Sequence, residues 1–261
     1  MTRRPTADRP LSIAKSAASR VLDELRIRDP REIQVDLIAA HYGLMVCYKP
    51  LAREEGRLVR AGKEGLIVVD DQWKGTEKER FIEAHELGHF FRHEGVDQFE
   101  LCTDRDLNDW YSTSGFEHEA NVFAAELLMP ERFFRKRCDQ INRPNLTNVR
   151  ELATEFRTSL TSTAIRLIEC TAEPCAIIHS TDFVIDWCFK TTDFRFRPTR
   201  GARLTNSTYA HDLFAGKPVR DAPQLIDGAG WPGGLEIDIQ EHSIKLGRYN
   251  SVLTLLWHKY E

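Results

Sequence analysis

A chain of 261 residues, 41% hydrophobic and 10% aromatic, can bury a real core, either as one large domain or as two to three small ones. Its 36 basic and 40 acidic residues leave a net charge of −4, which excludes an overall basic field for nucleic acid. Six cysteines (Cys47, Cys102, Cys138, Cys170, Cys175 and Cys188) form no C-x-x-C pair and fit neither a dense disulfide framework nor a cysteine zinc site, so they are expected as reduced thiols; with no long uncharged apolar run and no signal segment, the protein is expected to be soluble and cytoplasmic.

Residues 12–27 repeat apolar positions at three- and four-residue steps (Ala14, Ala17, Ala18, Val21, Leu22, Leu25) and predict an amphipathic helix. A second helix is expected over 30–41, with Gly43 placed to end it. The period then shortens, and three β-branched stretches (44–48, 56–60 and 65–70) read as strands of one small sheet. Residues 76–93 are a long helical pattern, with Thr76 and Glu79 spaced as a capping box and Gly95 as a stop. Residues 96–115 lack a period and are expected as a loop, a length often tied to function. Helical patterns resume at 116–129 and, after Pro130, at 131–138.

Two short helices over 146–156 and 160–169 have the look of a helix-turn-helix, though Arg150, Arg157 and Arg166 are offset by Glu151, Glu155 and Glu169, a poor phosphate-binding face. Beyond Pro174, residues 175–179, 183–189, 193–197 and 251–257 are strand-like, and the Gly/Pro-rich stretch around GAGWPGG is turn material. Trp187, Phe189, Phe194 and Phe196 suit the core of that sheet better than a ligand pocket. This gives an α+β chain in three parts: 1–140, a helical segment 141–172, and an α+β part 173–261.

The chemistry concentrates in the stretch HELGH, His85 to His89. Residues four apart on a helix differ by about 40° in direction, so His85 and His89 can both offer imidazole nitrogens to one metal, while Glu86 is turned by about 100° and is available to a water on it. At this composition a chance H-E-x-x-H is expected in roughly one chain in forty, so a surface helix with two satisfied histidines is a real alternative that only context excludes. A catalytic zinc usually takes a third protein ligand. Glu117 shares a helix face with the small residues Ala120 and Ala124 and with Asn121, which makes it the candidate; Glu119 points to the other side and is the fallback. His93, four beyond His89, could support the site, but its place near the helix end suits a simple favourable dipole contact better; no spacing selects His118 or Tyr111 as an oxyanion donor.

FIEAHELGHFFRHEG followed by EHEANVFAAELLMP closely resembles the paired signature of the ImmA/IrrE family of metallopeptidases, a HExxH helix followed by a helix of the form E-x-E-A-N-x-F-A-A-x-L-L-M-P. The resemblance covers about residues 12–140. It implies a zincin-like domain with His85, His89 and Glu117 as metal ligands, Glu86 as general base, and zinc, or in cells manganese, as the ion. It also implies a protein substrate, a helix-turn-helix repressor of the Xre type cut in a stress or mobile-element response, with no direct nucleic-acid or membrane contact. The helical segment resembles that of longer members. The last ninety residues resemble the sensor-like, GAF-compared domain of the radiation-response branch. Two rival functions follow from the same residues: a non-catalytic regulator that docks or senses through its C-terminal part, and a DNA-binding protein using the helix-turn-helix-like segment.

Overall fold

The computed structural model describes residues 8–52, 54–92, 115–247 and 250–258. They form two compact units, one running to Phe133 and taking in Glu155–Ser159, the other made of Phe134–Thr154 and the chain from Leu160 onward. Residues 141–172 fall in the second unit except for Glu155–Ser159.

In the first unit, helix α1 (Asp8–Glu24) presents Ala14, Ala17, Ala18, Val21 and Leu22 to the core, the stripe its spacing predicts. A single 3-10 turn capped by Asp29 precedes α2 (Val35–His41), which together replace the one helix expected over 30–41. Strands β1 (Leu44–Lys49), β2 (Gly56–Ala61) and β3 (Glu64–Asp70) form one sheet in the order β1-β3-β2, with β1 parallel and β2 antiparallel to β3. Against it lies α3 (Glu77–Arg92), followed by α4 (Phe116–Leu128) and by α5 (Glu131–Cys138), which enters the second unit at Phe134. Ile67, Val69, Ile82, Leu87, Phe123 and Leu127 join the α1 stripe in one continuous core. From Ala120 to Leu128 every residue of α4 is buried, so this helix is central rather than amphipathic.

The expected cap at the start of α3 is present in a shifted form. Thr76 Oγ1 accepts the Glu79 N–H at 3.3 Å, but the Glu79 carboxylate reaches back to the Gly75 N–H instead of to Thr76, and also accepts the Tyr48 hydroxyl at 2.6 Å. Gly95 and the loop over 96–115 fall mostly outside the described residues.

The second unit holds α6 (Leu146–Phe156) up to Thr154, α7 (Leu160–Cys170), α8 (Tyr209–Phe214) and a five-stranded sheet in the order β5-β4-β8-β7-β6, antiparallel throughout. Its strands are β4 (Cys175–Thr181), β5 (Val184–Lys190), β6 (Gln224–Asp227), β7 (Asp238–Leu246) and β8 (Ser251–Trp257). Residues 193–197 are not a strand: Phe194 and Phe196 are fully buried and Asp193, Arg195 and Arg197 exposed, but the segment pairs with no strand, Phe194 N–H binding back to Thr191 and Arg197 N–H to Gly233. Alternating burial needs only an extended chain beside a core; a ladder needs a neighbouring strand as well. Phe194 and Phe196 are core, as expected, whereas Trp187 and Phe189 are half-buried. The five described cysteines form no disulfide among the described residues, and Cys102 lies outside them.

Candidate metal centre

The site is made by α3 and α4, and glycine sets how close they come. A Cβ on Gly88 would stand 3.0 Å from Ala120 Cα and 3.2 Å from the Ala120 carbonyl oxygen, so a side chain there would strike backbone. The small residues that the sequence places on α4 therefore meet a small residue within HELGH itself. His85, Glu86 and His89 are 0%, 1% and 9% exposed, which removes the reading of HELGH as a surface helix. Glu117 stands in the first turn of α4, behind Gly115 (φ +105°) at the cap position, where unpaired N–H groups favour an anion.

Three groups converge there. His85 Nε2 lies 3.0 Å from Glu117 Oε2 and 3.0 Å from His89 Nε2, and His89 Nε2 lies 3.2 Å from Glu117 Oε1. Behind the cluster, His85 Nδ1 is 2.8 Å from Asn121 Oδ1. An amide oxygen only accepts, so His85 carries its proton on Nδ1 and turns a bare Nε2 toward the other two groups. The centre is thus rich in lone pairs and short of protons, the electrostatics of a cation site. Zinc bonds of about 2.0–2.2 Å at tetrahedral angles separate ligand atoms by about 3.3–3.6 Å, close to the spacings found. His85, His89 and Glu117 are the one group of three such ligands among the described residues, their donor atoms all within 4.8 Å of one another. The two-imidazole, one-carboxylate set suits zinc and leaves a fourth position for water.

Residues 39–167 match the family model for the IrrE N-terminal-like domain, Peptidase_M78. Through these residues, just under half of the chain, it is similar to that family. A solved structure titled Mycobacterium tuberculosis transcriptional regulator shares the fold, with a TM-score of 0.63 and 18% identity over 96% of this chain and 78% of that one. No curated protein matches the chain. The metallopeptidase family and the three-residue cluster agree in pointing to a metal at this place.

Within the IrrE-like domain the remaining candidates separate clearly. Glu119, the fallback ligand, is taken by Arg92, whose Nη2 and Nε bind its Oε2 at 2.6 and 3.1 Å. Glu86 is buried with its carboxylate against the start of β2: a Cβ on Gly56 would come 3.0 Å from Glu86 Oε1 and closer still to Ile82. Gly56 therefore lets the strand close over the general-base candidate. His118 is half-buried, its Nδ1 meets no hydrogen-bond partner among the described residues, and burial lowers its pKa. His93 and Tyr111 lie outside the described residues. Sequence reasoning missed the roles of Gly56, Gly88 and Asn121. Asn121 was visible as a neighbour of Glu117 one turn on, but its partner His85 stands 36 positions earlier.

The arginines of the helix-turn-helix-like segment each have a partner within the chain. Arg150 pairs with Asp221 at 3.0 Å, Arg166 is buried and pairs with Glu169 at 2.7 Å, and Arg157 binds the Ile33 carbonyl at 2.7 Å. Arg80, whose guanidinium donates to the carbonyls of Ile33, Phe156 and Arg157, fastens the same turn.

Proposed function

We propose that this protein is a metal-dependent endopeptidase of the cytoplasm in which His85, His89 and Glu117 hold zinc, or manganese in cells, and Glu86 is the general base. The observation that carries this reading is the convergence of two imidazole nitrogens and a carboxylate at 3.0–3.2 Å in a buried, proton-poor centre. A bound zinc supplies Lewis acidity for the scissile carbonyl and acidifies a water near pH 7. Glu86 takes the proton of the attacking water at its carboxylate and delivers it to the departing amide nitrogen. The low-dielectric wall around Glu86 and His85 keeps other water from competing.

The substrate in this reading is a protein, a helix-turn-helix repressor of the Xre type, and its cleavage relieves repression in a stress or DNA-damage response or during induction of a mobile element. The shared fold with a structure titled a transcriptional regulator supports a regulatory setting. The part from residue 173 onward is read as the sensing domain. Regulation through direct DNA binding is disfavoured by the internal partners of Arg150, Arg157 and Arg166.

The test is digestion of the nearest-encoded helix-turn-helix repressor by the purified chain with zinc or manganese, with a chelator control. Wild type should cut at a restricted site, and Glu86→Gln should keep its metal while cleavage falls by a factor on the order of 10²–10⁴. Equal digestion by both proteins would sink the mechanism, and full regulatory activity of Glu86→Gln in cells would favour a docking role.

A further inference from the structure

We infer that Asn121 is the positioning residue that keeps the metal centre open, by deciding which nitrogen of His85 carries the proton. The inference rests on the metal-centre reading above and adds to it a residue that touches no metal. Asn121 and His85 are both fully buried, and Oδ1 of the one is 2.8 Å from Nδ1 of the other. A neutral imidazole has one N–H and two places to put it. On Nε2, the proton would point at Glu117 Oε2, 3.0 Å away, and the resulting hydrogen bond would tie ligand to ligand and use up the lone pair a metal needs. On Nδ1, it meets the Asn121 oxygen, and Nε2 stays bare. The Asn121 amide oxygen therefore selects the second arrangement against a local competitor of comparable geometry.

The placement is economical in backbone. Asn121 follows Glu117 by four residues on α4, so one helical face supplies both a candidate ligand and the group that orients another ligand from α3. Because Gly88 brings the two helices into backbone contact at Ala120, beside Asn121, the 2.8 Å bond is held by packing rather than by a flexible side chain. Groups that hold the far nitrogen of a metal-binding histidine in this way typically change metal affinity by about 10- to 100-fold when removed.

The experiment titrates zinc against a chromogenic chelator, using the full chain as wild type, Asn121→Asp and Asn121→Leu, with visible spectra of the cobalt-loaded proteins and thermal melts of the metal-free ones. Asn121→Leu has no acceptor: zinc binding should weaken by about 10- to 100-fold and the cobalt spectrum should change. Asn121→Asp keeps an acceptor and raises the basicity of His85, so it should bind zinc as tightly as wild type or more so, a rescue that a merely structural role would not give. The inference is overturned if folded Asn121→Leu binds zinc like wild type with an unchanged cobalt spectrum, or if Asn121→Asp loses as much as Asn121→Leu. Should the leucine variant not fold, the aspartate arm decides alone: equal or tighter binding supports the role, and binding weakened by about tenfold overturns it. Wild type that bound neither zinc nor cobalt would instead overturn the metal centre itself.

Discussion

In the second unit the Glu241 carboxylate is fully buried and receives three hydrogen bonds, from Ala210 N–H at 2.7 Å, Trp231 Nε1–H at 3.0 Å and Ser243 Oγ–H at 2.6 Å. Between α3 and α4, the equally buried His85 presents a bare nitrogen to a carboxylate and a second imidazole. The first arrangement is closed, since each acceptor oxygen has its donors and Thr254 completes the set by meeting Ser243 at 2.7 Å. The second is open, with three lone-pair groups facing one another and too few protons among them. Burial alone does not separate a structural polar group from a functional one; the balance of donors and acceptors does.

The comparison is broken most severely by forcing α3 and α4 apart. Gly88→Val should clash with the Ala120 backbone, destabilise the first unit by about 2–3 kcal/mol, and spread the ligand atoms so that zinc no longer raises the melting temperature. Melts with and without zinc measure both effects. A variant that keeps wild-type stability and its zinc response would show that the close helix approach does not set the centre.

Closing the comparison from the other side, Glu241→Gln should cost about 1–3 kcal/mol, because an amide N–H must then face one of the three donors. Zinc affinity should not change, and this separates a buried carboxylate that serves packing from one that serves a metal. Chemical denaturation paired with zinc titration reads the two quantities, and a zinc affinity that fell along with stability would undo the distinction.

His242 gives the closed network a dependence on pH. Its Nδ1 accepts the Leu146 N–H at 3.1 Å and its Nε2–H donates to Asp221 at 2.9 Å, beside Arg150, so the fold requires the neutral ring. Burial lowers its pKa, against a smaller opposing pull from Asp221. The folded value thus lies below the ordinary imidazole value near 6.5. The stability it contributes is therefore present above about pH 6.5 and is lost as pH falls toward the folded value, by at most about 1.4 kcal/mol per pH unit. Glu241, raised by burial, works in the opposite sense, so the measurement is the difference between wild type and His242→Gln, melted from pH 7.5 down to pH 5. Parallel curves for the two proteins would remove His242 as the cause.

How much of this was legible beforehand follows the same division. The α1 stripe, the three strands of the first sheet and the two helices of the site follow from apolar period and cap residues, which are local signals. Strand β7 falls in the stretch expected as turn material because its centre, Glu241, His242 and Ser243, is polar and yet buried, so the alternation of hydrophobic and polar residues is absent there. Residues 193–197 failed in the opposite direction, with alternation but no partner strand. In the site, spacing pairs His85 with His89 on α3, and the helical face of α4 nominates Glu117 as their partner. The work of Gly56, Gly88 and Asn121 depends on elements meeting in space, which no local pattern carries.

The finest of these distinctions lies between two glutamates two residues apart. Glu119 is mostly buried and paired with Arg92 on one side of α4, while Glu117 faces the imidazoles on the other. Glu119→Gln should therefore leave zinc affinity unchanged and cost about 1–3 kcal/mol, because the mostly buried Arg92 guanidinium loses its charged partner. Glu117→Gln should lose zinc binding while the apo protein keeps its fold, since it removes the one charged ligand from a centre whose excess of lone pairs is relieved by a cation. Zinc competition on both variants decides. If Glu119→Gln weakened zinc and Glu117→Gln did not, α4 would have to turn by about half a revolution from the arrangement seen, and the helical-face argument for the third ligand would fail with it.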